Sequence, residues 1–181
     1  MKKLLFIAIA VIMLFFKNSS SANYEKNFFD FKIDSITGEL IDFKDYKGKV
    51  VLMVNTASYC GLTKQYTELQ ELWDKYKTKG LIVLAIPSNS FNQEKNSDTE
   101  VKQFCEINFN INFPISTITN VKGNNAHPIF KWAKDNYGKS AVPKWNFHKI
   151  LINKDGKVED TYASFTNPMS KKIIKKLEKI L

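Results

Sequence analysis

The chain has 181 residues, a formal net charge of +9, two cysteines and two histidines. Every basic residue is a lysine, and arginine is the side chain that usually reads phosphates and bases, so the composition argues against specific nucleic-acid binding. Two cysteines cannot form an all-cysteine zinc site, and His127 and His148 lack metal-ligand spacing, so no metal is predicted.

The first 22 residues have the layout of a secretory signal. Lys2 and Lys3 precede an apolar run at residues 4–16, and polar and small residues follow up to Ala22. This order is typical of a signal peptide, and the run is shorter than the roughly 20 residues that cross a membrane. We predict a signal peptide at residues 1–22, an exported protein (periplasmic or extracellular) and no stable membrane insertion after cleavage. An uncleaved N-terminal anchor is the alternative.

Residues 23–181 are predicted to form a single α/β domain. Buried-type β-branched runs alternate with stretches of helical periodicity, and no repeat or low-complexity linker separates them. The predicted strands are residues 28–33, 39–43, 49–55, 81–87, 147–153 and 158–164, with a short extended segment at 113–115. The predicted helices are residues 62–79, 97–107, 127–136 and 169–181. This order indicates a mixed central β-sheet flanked by helices.

Cys60 lies between a predicted strand and a predicted helix, next to Gly61. Unpaired N–H groups at the start of a helix favour negative charge, so this position suits a stabilised thiolate. The glycine would let the backbone turn closely beside the sulfur. Position alone leaves four roles open: a structural thiol, half of a stabilising disulfide with Cys105, a metal ligand, or a nucleophile.

Four blocks of the sequence resemble the glutathione peroxidase family. Residues 54–63, V-N-T-A-S-Y-C-G-L-T, resemble its active-site signature. Three further blocks follow in the family's order at residues 87–94, 104–109 and 144–149. The resemblance covers residues 28–181, and it implies a thioredoxin-like fold and thiol-dependent reduction of hydrogen peroxide or organic hydroperoxides, with no cofactor.

The resemblance implies a role for each residue of the site. Cys60 would be the peroxidatic nucleophile, which peroxide oxidises to a sulfenic acid. Gln93, Trp145 and Asn146 would surround its sulfur, because neutral N–H donors hold a thiolate and a developing oxyanion. Without the resemblance, Trp145 would read as core packing and Asn146 as a turn residue.

The block around Gln93 is shorter than usual in the family. Two residues, often glycines, commonly separate its phenylalanine from its glutamine, whereas only Asn92 lies between Phe91 and Gln93. The shortening could move the Gln93 amide away from the sulfur.

Cys105 is the second cysteine, and two roles are open for it. In family members that thioredoxin-like proteins reduce, a cysteine in this region attacks the sulfenic acid and gives a disulfide that the reductant opens. Those members usually place it one residue further on, where this chain has Glu106, and one residue turns a helical side chain by about 100°. Cys105 is therefore either the resolving cysteine or a buried bystander. As the resolving cysteine, it would require residues 97–108 to rearrange on oxidation.

The sequence also bears on the reductant and on the biological role. Members of the resembled family that use glutathione and form tetramers tend to carry a longer loop before the Trp-Asn block and basic residues that bind glutathione. By that resemblance, the compact segment at residues 121–144 and the absence of arginine favour a monomer reduced by a thioredoxin-like protein over one reduced by glutathione. One alternative is a redox-sensing or relay protein on the same scaffold, and another is a thioredoxin-like domain with a structural disulfide. A sensor and a peroxidase share their first step, so turnover separates them.

Overall fold

A computed structural model describes residues 25–181, so the predicted signal peptide lies outside the described residues. The fold is thioredoxin-like, as predicted, with a mixed sheet flanked by helices. The strands are β1 (Lys32–Asp34), β2 (Leu40–Asp42), β3 (Val50–Thr56), β4 (Leu81–Pro87), β5 (Lys149–Ile152) and β6 (Val158–Tyr162). The α-helices are α1 (Gln65–Tyr76), α2 (Asp98–Phe109), α3 (Pro128–Tyr137) and α4 (Lys171–Ile180).

The central sheet has four strands in the order β4-β3-β5-β6. β3 and β4 run parallel, β5 is antiparallel to β3, and β6 is antiparallel to β5. Every residue of β3 and β4 is buried, because helices cover both faces of a sheet of this kind. The chain leaves β3 at Thr56 and enters the loop that contains Cys60.

The sheet divides the core into two clusters. Successive side chains of a strand point to opposite faces, so Val50, Leu52 and Val54 join one cluster while Val51 and Met53 join the other. The first cluster also contains both cysteines and the buried faces of α1, α2 and α4. Both thiols therefore lie on the same side of the sheet.

The predicted element boundaries differ most from the structure at the first strand and at the start of α1. Residues Phe28–Asp30 form a short 3-10 helix capped by Asn27, and the first strand is only Lys32–Asp34. The helix expected at residues 62–79 begins at Gln65 and ends at Tyr76, and a 3-10 helix at Lys77–Lys79 continues it to Gly80, which has a φ of 96°. Such a left-handed conformation is one that glycine adopts without strain.

Helix α2 has the predicted N-cap but not the full capping box. The Ser97 side chain accepts a hydrogen bond from the Glu100 N–H at 3.3 Å, as expected. The reciprocal bond to Glu100 comes from the N–H of Asn96 instead of Ser97. Within residues 25–181, no helix is both long and apolar enough to cross a membrane.

Candidate active site

The loop that carries Cys60 is fixed by one threonine side chain. The Thr63 hydroxyl donates to the Ala57 carbonyl at 2.9 Å and to the Cys60 carbonyl at 2.6 Å, and the Thr63 N–H also donates to the Cys60 carbonyl at 3.0 Å. These bonds fold the loop into turns before α1 begins at Gln65. Cys60 therefore precedes the helix instead of standing at its first turn, which corrects the sequence-based expectation.

The donor nearest to the sulfur is a backbone amide of this turn. The Leu62 N–H donates to Cys60 Sγ at 3.4 Å, and the Cys60 residue is only 6% exposed. Gly61 has no left-handed backbone, and a Cβ there would meet nothing within 4 Å, so the expected close approach is not what requires a glycine.

Gln93 is tied both to the cysteine loop and to Asn146. Its backbone carbonyl accepts a hydrogen bond from the Tyr59 N–H at 2.9 Å, directly before Cys60. Its side-chain oxygen accepts a bond from Asn146 Nδ2 at 2.8 Å. Because that bond uses the oxygen, both N–H donors of the Gln93 amide remain for other partners.

The shortened block is accommodated by one residue with an unusual backbone. Asn92 has a φ of 57°, a left-handed conformation that asparagine adopts more readily than most residues. It follows that the chain reaches Gln93 by a tight turn, closed by a hydrogen bond from the Asn92 N–H to the Asn89 carbonyl. The predicted partners Gln93 and Asn146 are thus brought together despite the missing residue.

Asn55, which sequence analysis missed, holds the segment that carries Trp145 and Asn146. Its side chain donates to the Trp145 carbonyl at 3.2 Å and accepts from the His148 N–H at 3.1 Å. Its backbone carbonyl accepts from the Phe147 N–H at 2.6 Å. The sequence signal for this role was a polar residue near the end of an otherwise apolar strand.

The strain of this segment explains why it needs so many bonds. Phe147 is fully buried and has a φ of 62°, and a bulky residue in such a conformation costs about 1–3 kcal/mol. The bonds from Asn55 and the edge-to-face contact between the Phe147 and Tyr66 rings offset that cost. The backbone is thereby held in the conformation that presents the two preceding side chains.

Trp145 is half-exposed, so core packing does not describe it. The side chain is 40% exposed, and its ring lies 5.4 Å from the ring of Phe91 at an angle of 57°. The ammonium of Lys122 lies 4.0 Å from the centre of the Phe91 ring on this same surface. Trp145 therefore lies at the protein surface beside Phe91, while Asn146, the next residue, is fully buried.

Cys105 lies in a very different environment from Cys60. It is fully buried on α2, and burial raises the pKa of its thiol to about 11. Its neighbour Glu106 is exposed, as expected when one residue turns the side chain by about 100°. Both cysteines are free thiols in this structure, so the structure brings the second thiol into the core and not into bonding contact with the first.

Glu94 is a second residue that sequence analysis missed. Its side chain is 5% exposed, and its Oε1 accepts from the Ser58 N–H at 3.0 Å and the Lys95 N–H at 2.9 Å. Burial raises the pKa of this carboxyl above its ordinary value. The sequence signal for Glu94 was its position directly after Gln93, in a block that resembles one of the glutathione peroxidase family.

Lys149 is a buried cation that anchors a loop beside the site. Its ammonium donates to Gln65 Oε1 at 2.5 Å, to the Ser164 carbonyl at 3.2 Å and to the Thr166 carbonyl at 2.7 Å. Burial lowers the pKa of this lysine to about 7, while the three oxygens favour its charged form. The loop after β6 is thus attached to α1 and β5 through one side chain.

The chain is similar in sequence to known glutathione peroxidases. The glutathione peroxidase family model matches residues 28–134. The chain is 41% identical over 145 residues to a glutathione peroxidase of Lactococcus lactis, covering 78% of this chain and 92% of that protein. It is 42% identical over 145 residues, with the same coverage, to a glutathione peroxidase-like peroxiredoxin of Schizosaccharomyces pombe.

A solved structure extends the likeness to three dimensions. The crystal structure of Trgpx in its apo form superimposes with a TM-score of 0.69 at 38% sequence identity, covering 86% of this chain and 95% of that one. Sequence and fold therefore agree over nearly all of the described residues. The chain is a thiol peroxidase that belongs to the glutathione peroxidase family.

Proposed function

We propose that this thiol peroxidase uses Cys60 as its nucleophile and Cys105 as its resolving cysteine, and that an exported thioredoxin-like protein reduces it. The observation that supports the proposal most directly is the position of Gln93. Its carbonyl is bonded to the residue before Cys60, and its side chain is bonded to Asn146. One residue thus connects the nucleophile loop to the segment that carries Trp145.

The first step is an attack of the Cys60 thiolate on one oxygen of the peroxide. An S–O bond forms, the O–O bond breaks, and the departing alkoxide or hydroxide takes a proton to give an alcohol or water. The sulfur is oxidised by two electrons and becomes a sulfenic acid. The Leu62 N–H stabilises the thiolate, and the amide of Gln93 and the indole of Trp145 supply neutral donors for the developing oxyanion.

The second step requires a rearrangement of α2. Cys105 is fully buried in this helix, and a disulfide requires Cα atoms within about 7 Å of each other. Local unwinding would free its sulfur. We expect faster hydrogen exchange in residues 97–108 of the oxidised protein than of the reduced protein, measured by mass spectrometry; identical exchange in the two forms would contradict an internal resolving step.

A small thiol such as glutathione is the second candidate for resolution. The observation that favours it is the complete burial of Cys105, because an external thiol needs no unwinding of α2. In either case the product is reduced by thiol–disulfide exchange. The signal-like residues 1–22 support a location outside the cytosol, where a thioredoxin-like reductant would also have to be exported, and we propose that the enzyme acts as a monomer.

Turnover in the presence of each reductant tests the proposal. Reduced wild-type protein should consume hydrogen peroxide continuously with thioredoxin, and Cys60→Ser should consume none. Cys105→Ser should complete one turnover with thioredoxin and then stall, because its sulfenic acid has no internal partner. Normal cycling of Cys105→Ser with thioredoxin would refute the two-cysteine mechanism, and a wild-type protein without turnover under any reductant would favour a redox sensor.

A further inference from the structure

Lys95 lies between the segments that carry the two cysteines. Its ammonium is 4.7 Å from the centre of the Tyr59 ring and 5.2 Å from the centre of the Phe104 ring. It also donates a hydrogen bond to the Tyr59 hydroxyl at 3.2 Å. Tyr59 directly precedes Cys60, and Phe104 directly precedes Cys105. We call Tyr59, Lys95 and Phe104 the Lys95 bridge, because one side chain contacts the neighbours of both thiols.

Helix α2 presents only a small buried face to the core. Val101 and Cys105 are the buried residues among its 12, whereas α1, of the same length, buries five. Its other apolar side chains are at most partly buried. Its first residue, Asp98, accepts hydrogen bonds from the Thr117 hydroxyl at 2.5 Å and from the Ile118 N–H at 2.8 Å. Beyond this anchored start, a contact on the exposed side of α2 therefore adds appreciably to what holds the helix in place.

The Cys60 loop is attached independently of the Lys95 bridge. The Tyr59 N–H donates to the Gln93 carbonyl at 2.9 Å, and the Thr63 hydroxyl donates to the Cys60 carbonyl at 2.6 Å. Neither hydrogen bond involves the side chain of Lys95. Loss of the bridge is therefore expected to loosen α2 while the loop that carries the nucleophile keeps its conformation.

We propose that Lys95 is a positioning residue that slows the resolving step by holding Phe104, and with it Cys105, in the folded helix. The inference rests on the resolving role proposed above for Cys105. A cation is attracted by the face of an aromatic ring, and Phe104 must leave the ammonium when α2 unwinds around the adjacent cysteine. The bridge thus stabilises the closed helix and not the open one. Opening becomes rarer, and the Cys60 sulfenic acid persists longer before the Cys105 sulfur reaches it.

The lifetime of the sulfenic acid decides which thiol resolves it. In the internal route the Cys105 sulfur attacks the Cys60 sulfur, the S–S bond forms, the S–O bond breaks, and the departing hydroxide takes the thiol proton and becomes water. In the external route a small thiol attacks the same sulfur with the same balance and gives a mixed disulfide. Rarer opening of α2 gives the external thiol more time. The Lys95 bridge thereby shifts the reaction toward a small thiol and away from the internal disulfide.

Time courses of the reduced full chain mixed with hydrogen peroxide measure the two steps separately. Acid quench followed by mass spectrometry counts the sulfenic acid and the disulfide. Lys95→Met keeps an apolar side chain but removes the charge, so disulfide formation should be about two- to fivefold faster, the effect of losing one exposed cation–π contact. Sulfenic acid formation should be unchanged in this variant. Lys95→Arg, whose guanidinium also stacks on aromatic rings, should retain the wild-type rate of both steps.

Alkylation of Cys105 in the reduced protein measures the Lys95 bridge without the resolving step. Modification by iodoacetamide should become faster by the same factor in Lys95→Met, and Phe104→Leu should accelerate it as well. In the double variant the two effects should not add, because each substitution removes the same contact. The matched control is Lys172→Met, whose ammonium lies 5.2 Å from the centre of the Tyr162 ring and joins α4 to β6. This control should change neither the alkylation nor the disulfide rate.

The two measurements distinguish failure of this inference from failure of the proposed mechanism. A wild-type rate of Cys105 alkylation in Lys95→Met overturns the role of the bridge, as do additive effects in the double variant. A slower disulfide phase in Lys95→Met overturns it too, because the bridge would then assist the resolving step. Faster alkylation with no disulfide in any variant supports the bridge and overturns the resolving role of Cys105 instead.

Discussion

The two cysteines share one core cluster but differ in every property that controls reactivity. Cys60 lies in an irregular loop, is slightly exposed, and accepts a backbone hydrogen bond at its sulfur. Cys105 lies within a regular helix and is fully buried, and the pKa of its thiol is about 11. The backbone around each thiol therefore gives the two side chains different exposure and different hydrogen bonding.

The two cysteines also differ in how much the structure must move before each can react under the proposed mechanism. Cys60 lies in a loop and keeps a slight exposure, whereas Cys105 is fully buried within α2. A helix residue whose backbone bonds are intact has little freedom to move its side chain out of the core. Under the proposed mechanism, the first chemical step therefore uses the folded structure as it is, and the second depends on a fluctuation of α2.

Alkylation of the native reduced protein gives the largest expected contrast. Iodoacetamide at pH 7 should modify Cys60 at least a thousandfold faster than Cys105, because a thiol with a pKa near 11 is almost entirely protonated and is also inaccessible. Peptide mass spectrometry over time measures both rates. In denaturing urea the two rates should become similar, and similar rates in the native protein would mean that the core around Cys105 opens freely.

Asn146→Ala tests whether an oriented hydrogen-bond donor, in addition to exposure, controls the oxidation of Cys60. Without the bond from Asn146 Nδ2 to Gln93 Oε1, the Gln93 amide loses its fixed orientation. We expect the second-order rate constant of Cys60 oxidation to fall by about a hundredfold, the scale for losing one oriented donor. Asn136→Ala on α3, whose side chain bonds only to the Trp132 carbonyl among the described residues, is the matched control. An unchanged rate in Asn146→Ala would show that exposure alone distinguishes the cysteines.

Replacing Cys105 should lower the free energy of unfolding more than replacing Cys60 does. Cys105→Ala leaves a small cavity in the core and should lower the free energy of unfolding by about 1–2 kcal/mol. Cys60→Ala should cost less, because its sulfur lies at the edge of the core. Urea denaturation of the reduced proteins measures both values. A larger loss in Cys60→Ala would mean that its loop, and not α2, depends on the thiol for its packing.

Much of the fold and of the site could be predicted from the sequence, for identifiable reasons. The buried strands β3 and β4 are continuous apolar runs, and the cysteine between strand and helix falls within a recognisable block. Recognisable blocks also contain Gln93, Trp145 and Asn146. The structure connects these residues through the Gln93 amide and the adjoining backbone. Local pattern was sufficient wherever a residue's role depended on its immediate neighbours.

The remaining features depend on contacts between distant parts of the chain. Asn55 acts on residues about ninety positions later, and no local pattern indicates such a partner. The left-handed backbone of Phe147 contradicts the preference of a bulky residue, so only the packed structure reveals it. The burial of Glu94 and Lys149 was hidden for the same reason, because charged residues are expected at the surface.

The buried ammonium of Lys149 has a consequence for the conditions that suit this protein. Its pKa is about 7 in the folded chain against an ordinary 10.5, so between these values the unfolded chain binds more protons and the free energy of unfolding rises with pH. Cys105 acts in the opposite direction, because its folded pKa of about 11 exceeds the ordinary 9.0, and stability falls as pH rises above 9.

Lys149 and Cys105 together predict that the free energy of unfolding is largest at mildly alkaline pH. In urea titrations at several pH values, Lys149→Met should lose the rise that the wild type shows from about pH 7 to pH 9; an identical rise in both proteins would assign it to other groups. The buried ammonium thus links the attachment of the loop after β6 to the pH of the solution.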